Sequence, residues 1–138
     1  HRNRSEQFEA RFVLAELPAN PSLFFADMAG SRIPVVVSHG EGRAEFAHES
    51  GARACHDAGL VPLRYSLGAG VVATTYPANP NGSPLGIAAM TSTDGRVTIT
   101  MPHPERVFRY VQHSWAPAAA GEDSGWMRLF RNARRALG

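Results

Sequence analysis

Between residues 60 and 101 the chain leaves no room for a helix between its strands. Apolar runs at 60–65, 71–76, 86–92 and 96–101 are separated by SLGAG, YPANPNGSP and Thr93-Asp94-Gly95, all dense in turn formers. Glycine-rich or Asp-Gly connections of this length join antiparallel neighbours. A parallel pair needs a crossover of about a dozen residues or more. The stretch 8–37 is the one read as supplying it, so the second half of the chain must fold as hairpins.

The remaining segments fill in around that constraint. FEARFVLAEL (8–17) predicts a strand ended by Pro18, and SLFFADMAG predicts a short helix closed by Gly30. IPVVV (33–37) is a continuous apolar run, the pattern of a strand buried on both faces, and it leads into the polar loop SHGEG (38–42). A turn and a ligand loop are both open readings of SHGEG. HESGARACHDAG (48–59) predicts a helix with Gly59 as its stop. After GEDS (121–124), Trp126, Leu129, Phe130, Ala133 and Leu137 fall on one face of a closing helix. The total is about six or seven strands and three helices. The 138 residues fit one domain or part of one, and they read as the later, partly antiparallel portion of an α/β domain.

Composition removes several functions. All 14 cationic side chains are arginine, which excludes a Schiff-base or PLP lysine and a Walker-type phosphate loop. The net charge is only +2, and the arginines gather toward the two ends, so nucleic acid is not the expected partner. One cysteine, Cys55, excludes an internal disulfide and a multi-cysteine zinc site. No apolar run reaches the ~20 residues of a membrane span, and residues 1–20 lack a signal-peptide layout. A cytoplasmic location without membrane contact is expected.

The chemistry concentrates in MPHPE (101–105). Pro102 and Pro104 bias Met101 and His103 toward extended conformations, in which residues two apart point the same way. His103 and Glu105 can therefore lie side by side where strand 96–101 ends. A carboxylate on one imidazole nitrogen fixes the tautomer and supports the imidazolium that forms when the other nitrogen takes a proton. Spacing alone equally fits a surface histidine beside a glutamate paired to Arg106 or Arg109. A nucleophile to complete a triad is missing: no serine or cysteine sits in a G-x-S-x-G-like elbow, and Cys55 in ARACHDA reads as a structural thiol inside a helix. His39, Glu41, His103 and Glu105 around one metal ion match no standard ligand spacing, and no metal is expected.

Taken in order, FEARF, VSHGEGR, YPANPNGSP, RVTITMPHPERVFR and GEDSGWMRLFRNARRALG resemble the C-terminal glutaminase region of the phosphoribosylformylglycinamidine synthase family, in its large single-chain form. The resemblance covers nearly the whole chain and places it among class I glutamine amidotransferases. It implies the C-terminal portion (1–138) of an open, flavodoxin-like α/β sheet with antiparallel hairpins, truncated at its N-terminal side. By position, His103 matches the catalytic histidine and Glu105 the carboxylate that orients it. Ser38, His39, Gly40 and Glu41 match the segment beside bound glutamine, with contacts expected through backbone groups. The nucleophilic cysteine is expected N-terminal to everything in this chain, so these residues alone should not hydrolyse glutamine.

The same resemblance implies a parent ligase of purine biosynthesis, with ATP and magnesium used by a separate synthetase region and no cofactor held here. The implied partners are glutamine and the rest of the polypeptide. An apolar flank around IPVVV would lack cover and favour self-association. The residues themselves leave two rivals open: the glutaminase of another amidotransferase, and a non-catalytic binding module with an incidental His-Glu pair.

Overall fold

The computed structural model describes all 138 residues. Its frame is a two-stranded ladder, β1 (Glu9–Glu16) against β2 (Arg32–His39), antiparallel from the pair Glu9 and His39 to the pair Glu16 and Arg32. Val13 faces Val35 and Arg11 faces Val37, so Val13, Val35 and Val37 share the buried side. β3 (Leu63–Gly68) pairs with β1, the two-residue β4 (Val71–Val72) turns back onto β3, and β5 (Ile87–Thr91) and β6 (Thr98–Thr100) extend the sheet. The order is β2-β1-β3-β5-β6 with every pair antiparallel. This is an α/β domain built on one open six-stranded sheet and two helices, α1 (Glu49–Asp57) and α2 (Met127–Ala136).

Several expectations hold in detail. The β5–β6 hairpin closes through Gly95, whose φ of +70° and bond to the Ser92 carbonyl (2.9 Å) are those of a tight turn. A side chain there would also collide with the Pro21 carbonyl. Gly59 ends α1 in the left-handed conformation, as its position after the helical pattern predicts.

Others are corrected. SLFFADMAG forms only a 3-10 turn at Leu23–Phe25, and β1 and β2 are antiparallel, so no βαβ crossover exists. Phe25 and Met28 dip into the core, and Asn132 of α2 donates to the Phe24 and Ala26 carbonyls (3.0 and 2.7 Å). Those acceptors are thereby taken by a side chain from the far end of the chain instead of by helical amides. IPVVV is not buried on both faces: Val35 and Val37 are, Ile33 and Val36 are half-buried, and Pro34 is exposed. β2 is an edge strand, where a proline without an N–H is tolerated. The strand expected at 71–76 shrinks to β4, after which the chain leaves the sheet toward a cis Tyr76-Pro77 bond.

α2 also turns differently from its apolar pattern. Trp126 is fully buried and donates through Nε1 to the Pro34 carbonyl (2.7 Å), and Leu129 is half-buried. Asn132 is buried in the middle of the packed face, while Phe130 and Leu137 are exposed. The core therefore lies between α2 and one side of the sheet, with Tyr65, Leu63, Leu17 and Val107 completing it. α1 packs on a smaller cluster of Ala52, Val61 and Ile87. The core side of IPVVV is covered, while its other side stays partly open, with half-buried Val36 opposite exposed Phe12; further exposed apolar side chains lie at Phe8, Val97, Ile99, Val111 and Trp115.

Candidate active site

After β6 the chain crosses back to β2. Pro102 and Pro104 are buried, and the His103 amide donates to the Val36 carbonyl (2.7 Å), an isolated bridge that ties the segment to the edge of the sheet. Pro104–Arg106 is a 3-10 turn with His103 at its N-terminal boundary. The pair is thus brought together by a turn, not by the extended alternation expected from the prolines. His103 Nδ1 and Glu105 Oε1 are 2.7 Å apart. Arg106 lies 3.8 Å from the same oxygen, while Arg109 is engaged by Glu122 at 2.7 Å. His103 Nε2 has no hydrogen-bond partner within the chain. The carboxylate therefore holds one ring nitrogen and leaves the other available to exchange a proton.

The loop after β2 arrives beside this pair. The rings of His39 and His103 are 6.5 Å apart, tilted by 39°. Ser38 remains in the ladder opposite Ala10, and Glu41 is exposed, 4.0 Å from Arg2. Asn3 takes up much of the loop's backbone: its Nδ2 donates to the His39 carbonyl (2.7 Å), its amide donates to the Gly40 carbonyl (2.9 Å), and its Oδ1 accepts from Gly42 (3.2 Å). The amides of Gly40 and Glu41 donate to no group in the chain, and they are the donors this loop has left. The four residues His39, Glu41, His103 and Glu105 do not gather into a metal-ligand cluster.

YPANPNGSP, whose role the residues alone did not disclose, is the clamp on that loop. Asn79 folds the turn on itself, its Oδ1 accepting from Gly82 and Ser83 (3.0 and 3.2 Å) and its Nδ2 donating to the Ser83 carbonyl (2.8 Å). Ser83 Oγ accepts from the Ala44 amide (3.0 Å). Asn81 reaches the other end of the loop, with Nδ2 bonded to the Gly42 carbonyl and 3.0 Å from His39 Nε2. Gly42 is needed for this fit, because a Cβ there would collide with both His39 Nε2 and Asn81 Nδ2. Asn3, Asn79 and Asn81 are all buried, and none was singled out among the sequence candidates. The available signal was three asparagines in turn-forming surroundings, where their side chains satisfy backbone groups.

Burial holds the His39 imidazole below its ordinary value. Tyr65 is raised, also by burial, and its hydroxyl faces Asn81 without a hydrogen-bond partner. Cys55 lies inside α1, partly buried against the Ala52, Val61 and Ile87 cluster. It occupies neither a strand-to-helix elbow nor a hydrogen bond with His103. A cavity of about 270 Å³ flanks the loop, bordered by Glu41, Arg43, Glu45 and Met101 over the apolar face of β5 and β6; His103 does not line it.

Comparison with known proteins bears on the family and the fold. A family model described as a CobB/CobQ-like glutamine amidotransferase domain matches residues 1–136. The solved structure of PurLQS from Thermotoga maritima shares the fold, with a TM-score of 0.66 and 24% identity over 99% of this chain. The match takes in 51% of that chain, so the present sequence spans about half its length. No helix here is long and apolar enough to cross a membrane.

Proposed function

The chain belongs to the CobB/CobQ-like glutamine amidotransferase domain family, and from that membership we propose that it carries the acid–base half of a glutaminase site. The observation that carries the proposal is the 2.7 Å contact between His103 Nδ1 and Glu105, with Nε2 left open. His103 takes the proton from a cysteine thiol located outside these 138 residues, and the thiolate attacks the glutamine carboxamide. The imidazolium, steadied by Glu105, returns the proton to the leaving ammonia, and water then releases glutamate from the thioester. The free amides of Gly40 and Glu41 are suited to hydrogen-bond a carbonyl or carboxylate of the bound glutamine, and Ser38 and His39 hold that loop in place beside His103.

The acceptor of the ammonia is formylglycinamide ribonucleotide, converted to the amidine by an ATP- and magnesium-dependent synthetase region of the same enzyme in the cytoplasm. The order of YPANPNGSP and MPHPERVFR in the sequence supports this acceptor. The family description itself favours a second reading, in which the ammonia goes to a different acceptor. Product analysis of the longer polypeptide, supplied with glutamine, ATP and formylglycinamide ribonucleotide, separates the two.

The test of the site is glutamine hydrolysis. The 138-residue chain alone should release no glutamate. The longer polypeptide should release it, and His103→Ala should lower that rate by about a thousandfold or more. Glutamine hydrolysis by the chain alone, lost on His103→Ala, would overturn the assignment of the nucleophile.

A further inference from the structure

We propose that Asn81 is a positioning residue that locks His39 as a neutral imidazole with its proton on Nδ1, so that no second positive charge faces His103. The inference rests on the reading of His103 as the proton-transfer group. The geometry fixes each step. The Gly42 carbonyl is an acceptor, so the Asn81 atom bonded to it must be the amide nitrogen. That nitrogen's second hydrogen faces His39 Nε2 at 3.0 Å. Only a ring nitrogen with a free lone pair accepts it, which places the ring proton on Nδ1. An amide turned the other way would present its oxygen to Nε2 and favour the charged ring, but it would also set two oxygens against each other at Gly42.

The surroundings close off the alternatives. The His39 ring and the Asn81 amide both lie where a Cβ on residue 42 would stand, so they pack directly against the Gly42 backbone. Asn81 is itself fully buried, and its backbone carbonyl accepts from the Arg4 amide (3.0 Å), so the turn cannot withdraw freely. The groups facing His39 are His103 across the site, Glu9 directly opposite on β1, and the Met101 backbone. Glu9 is already occupied by Arg11 and Ser5. Glu105 lies beyond His103 and is turned to it.

The consequence concerns His103. Two imidazoles 6.5 Å apart cannot both charge without mutual cost. In a partly solvated site, a cation at His39 would lower the His103 titration midpoint by about half a pH unit to one. A neutral His39 leaves His103 free to become an imidazolium under Glu105 alone.

Nitrogen-15 spectra of the histidine side chains in the 138-residue chain test this without reference to activity. At pH 7 the His39 ring should show one protonated and one bare nitrogen in the Nδ1–H pattern. His39→Gln, which cannot carry charge, should leave the His103 titration unmoved. Asn81→Asp puts a carboxylate against Nε2, so the His39 ring should take up its second proton and show two protonated nitrogens at pH 7.

An Nε2–H or cationic His39, a rapidly averaged ring, or an upward move of His103 in His39→Gln overturns the proposal. Should Asn81→Asp fail to fold, the wild-type tautomer and the His39→Gln titration still decide it. Failure of the glutaminase reading shows separately, as a longer polypeptide that releases no glutamate while these spectra stand.

Discussion

MPHPE and YPANPNGSP meet at the same site and are held in opposite ways. His103 and Glu105 are two residues apart, their side chains 27% and 53% exposed, and a local turn brings them together. Asn81 is fully buried and joins backbone and side-chain groups some 40 positions away. An exposed ion pair contributes about 0–1 kcal/mol. A buried amide that satisfies a buried carbonyl is worth more, because its removal leaves the carbonyl desolvated and unpaired. The proposed proton transfer thus falls to a weakly held pair, and the rigidity to buried polar groups around it.

The sharpest way to break this contrast is to truncate the clamp. Asn81→Ala removes both donors from Gly42 and His39, and should cost about 2–3 kcal/mol in urea unfolding. A cost below about 0.5 kcal/mol would mean that the loop after β2 holds itself, and the asymmetry between the two segments would vanish.

The same asymmetry decides what could be read from the residues. Features set by neighbours in sequence were legible: the Asp94-Gly95 hairpin, the Gly59 helix stop, and the adjacency of His103 and Glu105. Features set by distant partners were not. SLFFADMAG has a helical look, yet the Phe24 and Ala26 carbonyls are claimed by Asn132, more than 100 residues on. IPVVV reads as doubly buried because periodicity cannot show that β2 lies at the sheet edge. The apolar stripe of α2 misplaces Phe130 and Leu137 because the centre of its packed face is the polar Asn132, chosen for those carbonyls. YPANPNGSP was recognisable as a turn, but its targets on the loop after β2 are not encoded near it.

An intermediate effect belongs to His39 alone, through pH. Burial lowers its value in the folded chain below the ~6.5 of an unfolded histidine. The folded state therefore binds this proton less readily than the unfolded one. Stability from this group is fully present above about pH 6.5, and is lost as pH falls through the window between that and the lower folded value. Between pH 7.5 and 5, wild type should lose more stability than His39→Gln in paired urea titrations. The difference isolates His39 from the carboxylates that titrate in both proteins. Equal losses would mean that the ring is no harder to charge in the clamp than in water.

The smallest expected change in stability comes from the His103–Glu105 side of the comparison. Glu105→Gln keeps an oxygen able to accept from His103 Nδ1 and removes only the charge. That charge is more than half exposed, so solvent already screens most of its attraction to a protonated ring. Arg106, 3.8 Å away, loses a partner but is itself exposed and can turn to water. The unfolding free energy should therefore change by less than about 0.5 kcal/mol. A loss near 2 kcal/mol would place Glu105 in a load shared with the clamp, because an isolated exposed pair cannot supply it. A near-zero change alongside a large one at Asn81 would establish that the carboxylate beside His103 is energetically separate from the residues that hold the fold around it.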